Sequence, residues 1–364
     1  MGATSGHRIY SCDDHLDMNA LPPELWVKRV AARHREAVPH VVEQGGMRLW
    51  KTGDRITGVS GPYGVIQTAI ERAGVEDDGF RASSPKLRME DMERDGIWAS
   101  IVYGPTALFS YEIGDPELKR VAIRAWNDWA AEEFNSYLPD RLNALPELPA
   151  SSPEAAVEEL QRVAKLGHRG GCLNGFEADL RDRAWDRLWA AAAEAELPLS
   201  FHIGGGTRLD PRQRDWQIAG FAAIAPMQMD ELLATMIYSG ALERHPGLRI
   251  VLAESGVGWL PYLVARMDAT FEKHCAPHPE YSIRTRPSEL FHRQVYATFE
   301  EEPLGPSLIP LLGPDNFMWA CDYPHPDSTW PNSRAAIDHA LGALGEAAVR
   351  KVTGENCQRL YRLP

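Results

Sequence analysis

Asp13 and His15 stand two residues apart in Ile9-Tyr-Ser-Cys-Asp-Asp-His15, an apolar run that reads as a strand ending on polar side chains. Side chains two apart on a strand leave by the same face, so this pair can grip one ion together while Asp14 points elsewhere. Three more apolar runs close in the same way: Leu197–His202, Leu248–Glu254 and Phe317–Asp322, the last followed by Tyr-Pro-His325. A sheet cannot bury Asp, His, His, Glu and Asp beside hydrophobic residues without compensation, and one or two bound cations supply it. The expected chemistry is that of a metal centre. Asp13, His15, His202, Glu254, Asp322 and His325 are its candidate ligands, and Glu254 and Asp322 are also its candidate catalytic groups, able to carry a proton or activate a bound water. Gly204-Gly-Gly206 behind His202 leaves that imidazole open to a ligand.

Such a constellation needs a frame that brings distant strand ends together. Short β-rich runs at 8–13, 97–102, 142–146, 169–173, 197–202, 248–254, 293–299 and 316–321 alternate with amphipathic helical stretches. Asp115-Pro116 and Ser152-Pro153 are N-cap and first-turn pairs that open two of those helices. Eight strand–helix units predict a closed α/β barrel, read as a single domain over 1–364. An excursion at about 38–85 is expected to form a small hairpin and a possible lid, and the segments 203–224 and 273–292 are expected to shape substrate choice. All three follow strands, so these insertions fall on the C-terminal face, where barrels build active sites.

Hydrophobic residues make up 44% of the 364 and charged residues 24%, enough apolar material for a closed core. A net charge of −13 argues against general binding to nucleic acid or to an anionic membrane surface. No apolar run reaches the length of a membrane span and the first residues lack a signal-peptide core, so the expected location is cytoplasmic. The five cysteines are widely spread and form no CxxC pair, which predicts reduced thiols rather than disulfides or a thiolate zinc site. Strand alternation predicts that Cys12 and Cys321, each directly before a candidate ligand, point away from the metal into the layer between barrel and helices.

Asp13-x-His15, His202, Glu254-Ser-Gly-Val-Gly-Trp-Leu-Pro with Arg266-Met-Asp268, Asp322-Tyr-Pro-His-Pro-Asp-Ser-Thr-Trp-Pro and Gly354-Glu-Asn356 together resemble the amidohydrolase-2 branch of the amidohydrolase superfamily. The resemblance spans almost the whole chain. It implies a distorted (β/α)8 TIM barrel, a divalent metal at its C-terminal mouth, a homodimer, and decarboxylase, hydratase or C–C hydrolase activity. Many decarboxylases of the branch carry a His where this chain has Glu254, and a Glu can bridge two cations. On that departure the sequence is similar to the TIM-barrel nonheme diiron monooxygenases of bacterial diterpenoid biosynthesis, of the platensimycin and platencin kind. That similarity implies two Fe ions, dioxygen, an external electron donor and a bulky apolar, CoA-linked acid as substrate, in antibiotic biosynthesis.

The expectation is therefore a diiron monooxygenase, with His325 on the second metal. The alternative is a mononuclear decarboxylase or hydrolase with one Zn or Mn, and a barrel that only binds is a distant third. Arg208, Arg212, Arg214, Arg284, Arg286 and Arg293 suit the phosphates of a CoA ester, or pair with local acids. Glu300-Glu-Glu302 could add a ligand or a polar rim but is read as a solvated acidic run, and Trp126, Trp129 and Phe134 are read as core packing or a subunit contact.

Overall fold

The structure, a computed structural model, describes residues 6–62, 68–105, 113–205, 208–209, 215–278, 280 and 283–364. The chain opens with β1 (Ile9–His15), which is buried throughout. It then makes an excursion through β2 (His40–Gln44), β3 (Met47–Thr52) and β4 (Arg55–Val59), an antiparallel sheet in which β3 pairs both neighbours. The excursion thus has three strands rather than the two of a hairpin, and Trp50 of β3 anchors it edge-on against Trp26 at 5.3 Å between ring centroids.

The remaining strands are β5 (Ile97–Tyr103), β6 (Leu142–Ala144), β7 (Glu147–Leu148), β8 (Gly171–Leu173), β9 (Leu199–His202), β10 (Ile250–Ala253), β11 (Val295–Phe299) and β12 (Phe317–Trp319). They pair in parallel, β1 with β5 and β5 with β6, then β7 through β12 in sequence order. β6 and β7 are two halves of one kinked strand: Leu145 N bonds Val102 O on one side, and Pro146 O accepts from Cys172 N on the other. The seam closes between β1 and the residues after β12, where Asp322 N donates to Asp13 O at 3.0 Å and His15 N to Tyr323 O at 2.8 Å. Eight barrel strands result, at the positions the apolar runs predicted, in the (β/α)8 TIM-barrel class.

Helices begin where the caps predicted. Asp115 accepts from Leu118 N at 2.7 Å to open Pro116–Trp129, and Ser152 accepts from Ala155 N to open Pro153–Lys165. Trp126, Trp129 and Phe134 are buried against one another in the core. Inside the barrel, Tyr10, Cys12, Ile101, Cys172, Val251 and Met318 form one cluster, sealed at the N-terminal end by Leu360, Tyr361 and Leu363. Among the described residues no helix is long and apolar enough to cross a membrane.

Cys12 corrects the alternation argument. Ser11 pairs with Ser100 and Asp14 with Val102, so β1 spends three steps where β5 spends two. This bulge inserts one extra residue, and Cys12 and Asp13 both face the barrel interior. Cys321 does lie in the outer layer, against Asp95, Ser328 and Ser333.

Candidate metal centre

The bulge in β1 aims Asp13 inward beside His15, and it sends Asp14 outward to Arg88 at 3.2 Å and to the hydroxyls of Ser11 and Ser100. His202 is the last residue of β9, and Glu254 follows β10 directly. Glu254 and Asp322 both hold left-handed backbone, φ 54° and 60°, a conformation that costs an L-residue about 1–2 kcal/mol. Hydrogen bonds hold both turns. Glu254 N donates to Asp13 Oδ2 at 2.8 Å and to Thr298 Oγ1 at 2.6 Å, while Asp322 N is fixed to Asp13 O. The strained turns swing the two carboxylates over the strand ends.

Four ligand atoms meet there. His15 Nε2 lies 3.5 Å from Asp13 Oδ1 and 3.0 Å from Asp322 Oδ1, and His202 Nε2 lies 3.4 Å from Asp13 Oδ1. All four atoms are buried; Asp13 Oδ1, His15 Nε2 and His202 Nε2 have no hydrogen-bond partner among the described residues, while Asp322 Oδ1 also has His325 Nδ1 2.9 Å away. Buried polar atoms are ordinarily satisfied, so three unsatisfied ones converging beside Asp322 are the signature of a cation site. Two carboxylate oxygens and two imidazole nitrogens fit a divalent cation. His202 is prepared for it: Nδ1 bonds the Ile203 carbonyl at 2.9 Å, which leaves the Nε2 lone pair facing the centre. Tyr103 lies under this ring, 4.8 Å away, with its hydroxyl on Ser200.

Two overlapping groups can hold an ion: Asp13, His15 and His202, and His15, Asp322 and His325. His325 stacks on His15 with ring centroids 3.9 Å apart, but both its nitrogens face carboxylates, Nδ1 Asp322 at 2.9 Å and Nε2 Asp17 at 3.0 Å. Glu254 belongs to neither group; its Oε2 stands 3.3 Å from His202 Nε2 and 3.8 Å from His15 Nε2, toward the open side of the mouth.

Charge crowding is severe. Burial, then the charges of Asp322 and Asp13, push the Glu254 carboxyl up to about 8 against the pull of His202. Burial lowers His202, yet Asp13 and Glu254 outweigh it and carry the imidazole to about 9. Burial likewise opposes the charged forms of Asp322 and His325, but each favours the other's ionisation, so Asp322 falls well below the usual carboxylate range and His325 rises well above its own.

Three residues at this site escaped the sequence reading. Thr298 of β11 donates its hydroxyl to Asp13 Oδ2 at 2.7 Å. Asp17 holds the far side of His325. Glu300, dismissed as part of a solvated run, has a buried Oε1 without a hydrogen-bond partner among the described residues. The signal for it was present: Thr298 and Glu300 are two apart on a strand end and share the inward face.

Among the described residues the arginines do not gather into a phosphate site. Arg286 pairs with Asp268 and Glu272, and Arg293 bonds the Leu242 carbonyl. Arg208 is exposed, and Arg212 and Arg214 lie outside the described residues.

A profile described as Amidohydrolase matches residues 30–363. A gamma-resorcylate decarboxylase from Rhizobium radiobacter is 30% identical over 329 residues, 83% of this chain and 96% of that one. An amidohydrolase structure from Mycobacterium avium subsp. paratuberculosis superposes with a TM-score of 0.77 at 21% identity, covering 98% of this chain and 99% of the other. A 5-carboxyvanillate decarboxylase from Novosphingobium aromaticivorans, solved with manganese and 4-hydroxy-3-methoxy-5-nitrobenzoic acid, superposes with a TM-score of 0.68 at 18% identity, covering 100% and 98%. At those identities the two structures speak to the fold.

These findings overturn the monooxygenase expectation, because the relatives matched are decarboxylases. The oxidoreductase assignment, antibiotic biosynthesis and the diterpenoid substrate fall with it. The two irons, dioxygen, electron donor and CoA linkage rested on the same similarity and find no support. Glu254 by itself does not call for a second metal: its Oε2 stands 3.3 Å from His202 Nε2 and 3.8 Å from His15 Nε2, a placement equally compatible with a single ion. From the profile match and the breadth of the 30% alignment, the chain belongs to the amidohydrolase family.

Proposed function

We propose that this protein is a mononuclear, metal-dependent decarboxylase of a hydroxylated aromatic acid. The observation that carries the reading is the meeting of Asp13 Oδ1, His15 Nε2 and His202 Nε2, all buried and without hydrogen-bond partners among the described residues, with Asp322 Oδ1 3.0 Å from His15 Nε2. Those four residues would hold one divalent ion, of which manganese and zinc are the candidates. The gamma-resorcylate decarboxylase relative supports the reaction class, and the manganese in the carboxyvanillate decarboxylase structure supports the metal.

When bound, the ion supplies Lewis-acid polarisation of a substrate oxygen. The chain's own residues do the rest. Thr298 and the Glu254 amide fix Asp13, and the Ile203 carbonyl fixes the His202 tautomer. His325, held by Asp17, keeps Asp322 ionised and oriented. Glu254, on the open side of the mouth, is the proton carrier. As the bond between ring carbon and carboxylate breaks, carbon dioxide leaves, the electron pair stays on the ring carbon, and that carbon takes the proton from the Glu254 carboxyl.

The test is anaerobic. Protein loaded with manganese or zinc should release carbon dioxide from 2,6-dihydroxybenzoate in amounts matching the resorcinol formed, and chelation should stop it. No release from any hydroxybenzoate or hydroxy-methoxybenzoate, with the metal shown to be bound, would refute the proposal.

A further inference from the structure

Glu300 is a half-buried residue with one carboxyl oxygen, Oε1, fully buried, and neither ligand group accounts for it. It follows β11 directly, and β11 runs between β10 and β12, whose ends lead to Glu254 and Asp322. Thr298, two residues earlier, points inward to Asp13, and strand alternation gives Glu300 the same face. The charges of Asp322, Glu254 and Asp13 all bear on it. Its Oε1 is shut away from solvent and has no hydrogen-bond partner among the described residues. An acceptor buried without a partner is costly, which points to a partner that arrives with the ligand.

The surroundings restrict what that partner can be. The unsatisfied atom is a carboxyl oxygen in an acidic surrounding, so a group that brings a hydrogen fits beside it and one that brings only lone pairs does not. An O–H donor meets Glu300 without penalty. The substrate class of the proposed decarboxylase, on which this step rests, has such donors on its ring.

We propose that Glu300 is a specificity-determining residue, whose carboxyl takes a hydrogen bond from a second ring hydroxyl of the substrate, beyond the one next to the carboxylate. Glu300 thereby selects dihydroxylated rings over monohydroxylated ones. A site that bonds a hydroxyl rejects the analogue lacking it, since its own buried group is then left unpaired.

The experiment compares manganese-loaded wild type with Glu300→Leu and Glu300→Gln in two readouts. In turnover, the ratio of kcat/KM for the best dihydroxybenzoate to that for salicylate should fall by about tenfold or more in the Leu variant and be largely restored in the Gln variant. In binding, calorimetry should show wild type taking resorcinol or catechol more tightly than phenol, with that preference lost in Glu300→Leu. A preference unchanged in Glu300→Leu, or absent in wild type, overturns the assignment. The outcomes separate the two proposals. Carbon dioxide release with an unchanged preference leaves the decarboxylase and sinks the subsite. A Glu300-dependent preference for diphenols without carbon dioxide release does the reverse.

Discussion

The hydroxyl of Thr298 donates to Asp13 Oδ2 at 2.7 Å, so one oxygen of this carboxylate is committed within the protein while the other faces the metal centre. That division fixes the carboxylate's orientation before any ion arrives. Thr298→Val keeps the shape and deletes the donor. It should weaken manganese binding by about 10- to 100-fold, the usual range for a lost partner of a ligand, as read by competition with a chelating dye. Unchanged affinity would mean that the Glu254 amide alone suffices to hold Asp13.

Metal and stability should be linked. An ion that binds only the folded chain stabilises it by about 2.7 kcal/mol when present at a hundred times its dissociation constant. Manganese should therefore raise the thermal midpoint of wild type in a concentration-dependent way, and His202→Ala should abolish most of that rise. Equal shifts in both proteins would place the ion elsewhere.

Glu254 is assigned the proton, not the metal. Glu254→Gln should lower kcat by about 10²- to 10⁴-fold and leave manganese affinity within a few-fold of wild type. Glu254→Gly should raise the denaturation midpoint of the metal-free protein. It relieves a left-handed turn costing about 1 kcal/mol or more, and it removes one carboxyl from a crowded site. A stability loss in the Gly variant would show that contacts of the side chain outweigh the strain.

His168 gives a pH test far from the chemistry. Its ring is buried, with Nδ1 3.2 Å from the Ala144 carbonyl and Nε2 3.1 Å from that of Asn127, and burial lowers its pKa below 6.5 although both carbonyls favour the proton. A histidine depressed in the folded state contributes its stability above the unfolded value and loses it as pH falls toward the folded one. His168→Leu should cost roughly 1–3 kcal/mol at pH 8, and the gap to wild type should narrow from about pH 7 to pH 5 in urea denaturation. A gap that widens with acid would put the folded pKa above 6.5.

The eight barrel strands were legible because each carried an apolar run of its own, and the Asp115 and Ser152 caps were legible because capping is local. The ends of those runs carry Asp13, His15, His202 and Asp322, which fall in two overlapping groups that share His15. Orientation was harder. The bulge that turns both Cys12 and Asp13 inward depends on how β1 registers against β5, which no local pattern encodes. Glu300 was hidden by its neighbours: three consecutive acids read as solvated, yet Glu301 is exposed while Glu300 is drawn in by the strand. The reaction was the hardest to read, since ligand type alone leaves the metal, and hence the chemistry, open.

The seam between β1 and the residues after β12 gives the centre a temporal property. Asp13 and Asp322, and the backbone bond that joins their strands, come from opposite ends of the chain. The proposed ligand set is therefore complete only once synthesis has passed Asp322 and the seam has closed. Metal capture should thus tighten late in maturation: intermediates that lack the last strand offer Asp13, His15 and His202 without Asp322 and should hold the ion more weakly.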